Sequence, residues 1–342
     1  MVERKAEGEL REVVKSLRDR SFKYVEREEK KIDWHAYNES QLDDLHFFVE
    51  QTKSLVDTVS LLLPISEPAV GRPSKQASDV AKAVLLMEYL QVSERGAAGW
   101  VWIFKEKLGI TEDLSPRTIG RGFENPEVLF ILTKVFELTT IPFAQVEQTI
   151  AIDGTGVAET VKQNYESVKN QDITKTSDWL KLSIVTGVEL HGIVSYSLDR
   201  HTHDTKLFEP LVNQAANRWP NANRLTADAG YLSRANAQTA SNLGLTPFLF
   251  PKVNVTLKQR GSAAWTTMLK LLLANVQQWL EWYHLRSNVE TVNSCLVRRF
   301  RKLSCVKTQT KLAEEFTRLI LHNLRQLNTA LHEHKITLNY AL

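Results

Sequence analysis

Two acidic residues stand where the sequence predicts that a β-strand ends in a glycine-containing turn. Asp153 lies in AIDGTGV, residues 151–157, and Asp228 lies in TADAGY, residues 226–231. A buried, unpaired carboxylate is costly, and each aspartate alone is explained by a turn, since its side chain accepts a hydrogen bond from the backbone two residues on. Two such acids at adjacent strand ends have a second explanation, because neighbouring carboxylates stay ionised only with a cation between them.

A third acid follows in YHLRSNVETVNSCLVRRFRKL, residues 283–303. Tyr283, Arg286 and Glu290 are spaced i, i+3, i+7, which is one face of a continuous helix. Such a face offers a carboxylate to a metal, and a guanidinium and a phenol to a phosphate. Ser287 and Glu290 also match a capping box, in which the glutamate only reaches back to the cap amide. The residues leave both interpretations open.

Composition limits the kinds of metal site and the cellular locations that this sequence suggests. Carboxylate ligands favour Mg²⁺ or Mn²⁺, and Cys295 and Cys305 are too few for a disulfide framework or a zinc site of their own. The net charge is +3 in 342 residues, so a nucleic-acid surface must be local. The charged start MVERKAEGELREVV is unlike a secretory signal, and no apolar run approaches the roughly 18 residues that span a bilayer. We expect a cytoplasmic protein without a membrane partner.

The elements that must position the acids change character near residue 150. Before it, apolar residues recur at helical spacing, and a proline-containing linker separates residues 1–65, whose role the sequence does not indicate, from a second helical region, residues 66–148. After it, three strands are followed by helix, strand, helix, strand and a long helical region from Ala263 to about Arg301. This order predicts a mixed α/β sheet with helices on its faces, which we assign to residues 149–335.

The second helical region contains a candidate DNA-binding motif. In its segment SPRTIGR, Ser115 is a cap and Pro116 is the first helical residue, with Arg117 and Arg121 spaced i, i+4. Three short helices with a basic last one suit a helix-turn-helix-like module. A small helical bundle with solvated arginines explains the pattern equally well.

The segments AIDGTG, TADAGY and Y-x₂-R-x₃-E resemble the three signature segments of insertion-sequence transposases with a DDE triad. HTHDTKLFEPL, GRPSKQASDVAKAVLLMEYL and SPRTIGR are similar to further parts of that family, so the resemblance covers most of the chain from about residue 70 to 330. It implies an RNase H-like fold with Asp153 on the first strand, Asp228 after the fourth and Glu290 on a late helix. The last two acids are only about 60 residues apart, which favours the compact branch of the family.

The same resemblance implies an activity. Asp153, Asp228 and Glu290 are then the catalytic acids, holding two Mg²⁺ or Mn²⁺ ions about 3.5–4 Å apart. The implied reaction is cleavage and strand transfer of double-stranded DNA, at the terminal inverted repeats of the element and into target DNA. The resemblance also implies a homodimer in the DNA complex and a nucleoid-associated location.

Four residues are candidates for DNA contact by matching position. Tyr283 and Arg286 correspond to residues that meet backbone phosphate near the cut. Val297 stands where the family often has a lysine, and the candidates to replace that lysine are Arg298 and Arg301, the latter returning to nearly the helical face of the third acid. The sequence does not decide between these two arginines.

Two other functions remain open at this point. One is a nuclease of the same fold that hydrolyses DNA without joining it. The other is a transposase-derived DNA-binding protein that has lost catalysis. All three acids are present, which argues against the loss of catalysis but does not demonstrate turnover.

Overall fold

The computed structural model describes residues 2–25, 32–64, 74–159, 179–200 and 202–340. The α-helices in these ranges are α1 (Val2–Arg18), α2 (Trp34–Ser60), α3 (Ala77–Leu90), α4 (Glu94–Leu108), α5 (Pro116–Arg121), α6 (Pro126–Thr140), α7 (Asp204–Arg218), α8 (Arg234–Asn242), α9 (Ala263–Ala274), α10 (Val276–His284), α11 (Ser287–Arg299) and α12 (Thr308–His334). The strands are β1 (Thr149–Ala158), β2 (Trp179–Gly187), β3 (Ile193–Asp199), β4 (Arg224–Ala227) and β5 (Thr246–Leu249). No helix in these ranges is long and apolar enough to cross a membrane.

The strands form one mixed sheet in the order β3-β2-β1-β4-β5. β2 and β3 are antiparallel, whereas β4 runs parallel to both β1 and β5. Helix α7 packs on β3, α8 on β5, and α10 on β4 and β5. This is the RNase H-like arrangement, and helices precede it, so the predicted fold class is confirmed.

Each of two compact units is assembled from separate stretches of the chain. The first contains Met1–Ile32, Phe143–Gly156 and Lys181–Cys295, and the second contains Asp33–Pro142, Val157–Leu180 and Leu296–Leu342. The sheet and the three acids belong mainly to the first unit. The functional ranges 1–65, 66–148 and 149–335 stay a prediction.

The second unit has a helical core with an ion cluster inside it. Helices α2, α3, α6 and α12 pack against one another. Arg318 on α12 binds Glu88 on α3 at 3.2 Å, and binds Glu314 and Glu315 on its own helix at 2.9 and 3.3 Å. Burial raises the pKa of Glu315 to about 7. One guanidinium thus ties two helices together through groups that are costly to separate inside a core.

The predicted long helix from Ala263 to about Arg301 is wrong as a single element. The chain forms α9, α10 and α11 instead, with breaks at Asn275 and at Leu285–Arg286. Asn275 is extended, and its side chain accepts a hydrogen bond from the Gln278 amide, which begins a new helix there. Apolar spacing continues across such a break, so periodicity alone does not reveal it.

A buried glutamate closes the turn between β2 and β3. Glu147 is fully buried and accepts hydrogen bonds from the amides of Leu190 at 2.6 Å and Glu189 at 3.2 Å. Burial raises the pKa of Glu147 to about 7. A Cβ at Gly187 would lie 2.0 Å from the Glu147 Cδ, so a glycine is needed where the carboxyl group passes the strand.

Replacing Gly187 by alanine is expected to destabilise the protein. The new methyl group would displace the Glu147 carboxyl group from the two amides, at about 1–3 kcal/mol for buried groups left unsatisfied. Urea unfolding followed by circular dichroism measures the loss.

Gly99→Ala is the matched control, because its Cβ would meet nothing within 4 Å in α4. Alanine favours a helix over glycine, so this variant should be as stable as the wild type or slightly more stable. Equal unfolding midpoints for Gly187→Ala and the wild type would contradict the explanation.

Candidate active site

The register of two neighbouring strands brings the first two acids together. β1 and β4 are parallel, and Ile152 is paired with Ala227. Asp153 is the next residue of β1 and Asp228 is the first residue after β4, so the two acids stand side by side. The predicted strand end at Asp228 is confirmed. The predicted strand end at Asp153 is wrong, because β1 continues through the two glycines to Ala158.

Both aspartates also accept hydrogen bonds, one from a near neighbour in the chain and one from a distant residue. The Asp228 carboxylate accepts a bond from the Gly230 amide at 2.7 Å, as a turn-forming aspartate does. Asn293 donates through Nδ2 to Asp153 Oδ2 at 3.2 Å. The turn explanation for Asp228 is therefore correct, and it coexists with the closeness of Asp153.

The third acid, Glu290, is close enough to Asp153 to affect its pKa. Burial is the largest cause that raises the pKa of Asp153 to about 6, and the negative charges of Asp228 and Glu290 raise it further. The Gly154 amide and the Arg286 guanidinium act in the opposite direction. The pKa of Asp153 thus depends on the charges of both other acids and of one arginine.

Arg286 and Glu290 form a direct ion pair. Arg286 Nη2 lies 2.6 Å from Glu290 Oε1, and the arginine side chain is 20% exposed. The prediction that Tyr283, Arg286 and Glu290 share a continuous helix is wrong, because α10 ends at His284 and α11 begins at Ser287. Glu290 binds Arg286 and not a cap amide, so the structure favours the charged cluster over the capping box.

Tyr283 is packed into an aromatic cluster. Its ring stacks on Trp279 with centroids 5.3 Å apart and lies 4.9 Å from the ring of Phe250. Thr226 on β4 donates to its backbone carbonyl at 3.1 Å, which ties α10 to the strand before Asp228. Burial raises the pKa of Tyr283, so its phenol remains a proton donor.

The two later arginines lie in the second unit. Helix α11 ends at Arg299, with Arg298 exposed in its last turn. The expectation that Arg301 lies on the helical face of Glu290 is therefore wrong. The Arg301 guanidinium instead donates to the Val92 carbonyl at 3.0 Å. Contact of Arg298 or Arg301 with DNA stays a prediction.

Sequence reasoning did not assign a fourth acid to the site. Lys181 on β2 donates to Asp204 Oδ1 at 2.5 Å, at the start of α7. Tyr231 is buried, and burial and then the charges of Asp204, Asp153 and Asp228 raise its pKa. In the sequence, the segment HTHD was the only indication of a role for Asp204. The fold shows that its carboxylate lies near Gly230 in the turn after Asp228.

The donor chemistry of the cluster fits a divalent cation. Asp153, Asp228 and Glu290 supply only carboxylate oxygen, which suits Mg²⁺ or Mn²⁺. A cation would offset both the burial and the like charges that raise the Asp153 pKa. Across the described ranges, no three His, Cys, Asp or Glu side chains are close enough to hold an ion as they stand. Of the Glu290 carboxylate, Oε1 is engaged by Arg286.

The Lys181–Asp204 pair is expected to be coupled energetically. Lys181→Met would leave the partly buried Asp204 without its cation, at about 1–2 kcal/mol between the values for exposed and buried pairs. The double variant Lys181→Met/Asp204→Asn removes both charges and should recover part of that loss. Urea unfolding of the wild type, both single variants and the double variant gives the coupling energy. Additive losses would show that the pair contributes nothing.

Comparison with known proteins gives a family. The sequence model of the family described as "Transposase DDE domain" matches residues 144–324, which include all three acids. Among solved structures, "Mos1 transposase paired-end complex with left transposon end" is 14% identical with a TM-score of 0.22, and the match covers 70% of this chain and 84% of that one. "Crystal structure of a pre-cleavage Mos1 transpososome" is 11% identical with a TM-score of 0.21 and the same two coverages. Scores this low support no conclusion about this chain. No curated protein sequence matches it significantly.

Proposed function

This chain belongs to the Transposase DDE domain family, and from that membership we propose that it cleaves DNA at the ends of its own insertion element and joins the freed ends to target DNA. The main support for the proposal is the strand register that sets Asp153 beside Asp228. Glu290 is close enough for its charge to raise the pKa of Asp153. Three acids from separate parts of the chain have no structural need to meet. A shared task in metal-dependent phosphoryl transfer explains why they do.

The three acids are the proposed metal ligands. Proteins of this family generally use divalent metals, and we assign two Mg²⁺ or Mn²⁺ ions to Asp153, Asp228 and Glu290. When bound, such ions activate the attacking hydroxyl group and stabilise the leaving oxygen. The protein's own contribution is to hold Asp153 and Asp228 on the paired strands β1 and β4 and to keep Asp153 partly out of water.

Arg286 is the proposed phosphate contact, together with the Tyr283 phenol. The guanidinium has planar donors that match a phosphate, and it already lies within reach of the acids. A DNA phosphate at this point would compete with Glu290 for Arg286. Glu290 would then be released toward the metal site, so arrival of DNA and completion of the ligand set would be linked.

Replacing any one acid by alanine should abolish Mg²⁺-dependent nicking of element-end DNA. We expect the rate to fall by at least about 10³-fold for Asp153→Ala, Asp228→Ala and Glu290→Ala, since each removes charge on which the transferred phosphoryl group depends. Binding of end DNA without metal should remain near the wild-type level in a gel-shift assay. Glu209→Ala, an exposed acid on α7, is the matched control and should cleave normally.

A strand-transfer assay separates the two enzymatic alternatives. Pre-cut element ends and a target plasmid are incubated with wild-type protein and Mg²⁺. Joined product supports a transposase, whereas hydrolysis without joining supports a nuclease of the same fold. Full cleavage by an acid variant would refute the assigned site, and binding without any cleavage by the wild type would favour the inactive DNA-binding protein.

A basic cavity in the second unit is the proposed site for further contact with element DNA. Its volume is about 290 Å³. It is lined by Ser74, Lys75, Val80, Ser115, Arg117, Thr118, Arg121, Gly122 and Asn125. Three of these residues are cationic and none is acidic. Hydroxyl and amide groups among the others add hydrogen-bond donors, a combination that suits a backbone phosphate.

The geometry of this region refines the helix-turn-helix prediction. Ser115 caps α5 and Pro116 begins it, as predicted, but α5 is only six residues long. Arg117 and Arg121 are exposed and line the cavity. Lys75 also lines it, but its Nζ forms an ion pair with Glu112 Oε2 at 3.3 Å. We assign the two arginines to phosphate binding. In this proposal, residues 66–148 increase DNA affinity by contacting the phosphate backbone of the DNA, and α5 does not recognise bases.

Arg117→Ala and Arg121→Ala should each weaken binding of end DNA and of unrelated DNA alike. A lost phosphate contact reduces the slope of log affinity against log salt by about one. Fluorescence anisotropy over a salt series measures both effects. Arg95→Ala on α4 is the control, because Arg95 is exposed in the same unit but does not line the cavity. An unchanged salt slope in both cavity variants would contradict this assignment.

Three further features remain predictions from the resemblance. They are the homodimer in the DNA complex, the recognition of terminal inverted repeats, and the cytoplasmic, nucleoid-associated location. The first is measured directly by sizing the protein with and without paired end DNA.

A further inference from the structure

Asn293 connects two of the three acids. It lies on α11 one helical turn after Glu290, and its side chain is 6% exposed. Its Nδ2 donates to Asp153 Oδ2 at 3.2 Å, a contact between residues 140 positions apart in the chain. The helix that supplies the third acid thus also holds the first acid.

The other end of the Asn293 amide has no partner. Asn293 Oδ1 is buried and accepts no hydrogen bond from the residues that the structure describes. An unsatisfied buried acceptor is costly, and most such groups in folded proteins have a partner. Beside a carboxylate cluster, a missing partner points to a donor that arrives with a ligand, such as water on a hydrated cation.

We propose that Asn293 is a positioning residue for the metal site, an inference that rests on the proposed function. Its amide hydrogen restricts rotation of the Asp153 carboxylate and fixes it relative to Glu290. Its free oxygen accepts a hydrogen bond from water bound to the cation. Groups that orient metal ligands in this way typically contribute about 10–100-fold in metal affinity.

A purely structural role for Asn293 makes a different prediction. If the amide only docked α11 on the sheet, its loss would lower stability and the amount of folded protein. The metal concentration needed by the folded molecules would not change. The two roles are therefore separated by metal dependence and not by activity at a single metal concentration.

The test uses the full chain and the variants Asn293→Leu and Asn293→Gln. Leucine has nearly the shape of asparagine without its hydrogen-bonding groups, whereas glutamine keeps the amide. We expect the Mg²⁺ concentration for half-maximal cleavage of end DNA to rise at least about 10-fold in Asn293→Leu. Asn293→Gln should recover part of this shift, and metal-free DNA binding should stay at the wild-type level in both.

Asn288→Leu is the matched control on the same helix. Asn288 is half-buried, and its side chain bonds to His191 and to the Leu285 carbonyl and not to an acid. This variant should keep the wild-type Mg²⁺ requirement. A normal requirement in Asn293→Leu, with only stability reduced, would overturn the proposal.

Titration of the complex with end DNA by Mn²⁺, followed by electron paramagnetic resonance and compared with the DNA alone, distinguishes failure of this inference from failure of the proposed function. If the wild type binds Mn²⁺ without cleaving DNA, the proposed activity fails, and weaker Mn²⁺ binding by Asn293→Leu still supports the positioning role. Equal Mn²⁺ binding by the two proteins refutes that role whether or not DNA is cleaved. A wild type that binds no Mn²⁺ refutes the metal site and the positioning role together.

Discussion

Parallel pairing of β1 with β4 is the constraint on which the site depends. The register that joins Ile152 to Ala227 leaves Asp153, inside β1, level with Asp228, which follows the last residue of β4. A slip by one residue would turn every side chain of a strand to the opposite face of the sheet. Two carboxylates would then no longer meet. The apolar residues that bury β1 and β4 in the sheet therefore also set the geometry of the acids.

That pairing creates a repulsion which the surrounding side chains offset. Arg286 binds Glu290, and Lys181 binds Asp204, so two of the four acids have a cation of their own. Asp153 has an amide donor instead, and its pKa is raised mainly by burial and further by the charges of Asp228 and Glu290. These two protein cations therefore offset part of the repulsion among the acids.

The breaks in the late helices have consequences for the same cluster. A continuous helix would place Tyr283, Arg286 and Glu290 along one face. The chain instead ends α10 at His284 and starts α11 at Ser287, which lets Tyr283 stay among Trp279 and Phe250 while Arg286 folds back on Glu290. The segment from Tyr283 to Glu290 thus contributes an aromatic side chain to packing and an ion pair to the acidic cluster.

Local patterns in the chain were enough to predict the order of strands and helices around the sheet and the strand end at Asp228, but they ended β1 too early, at Asp153. Apolar periodicity and turn residues reflect interactions between near neighbours, and these are visible in the sequence. The same patterns missed the helix breaks, the departure of Arg301 from the helix, and the roles of Asp204 and Asn293. Asn293 contacts Asp153 across 140 positions, so its role depends on how the helix packs on the sheet. Through-space contacts of that kind exist only after folding, and they select which polar side chain meets which acid.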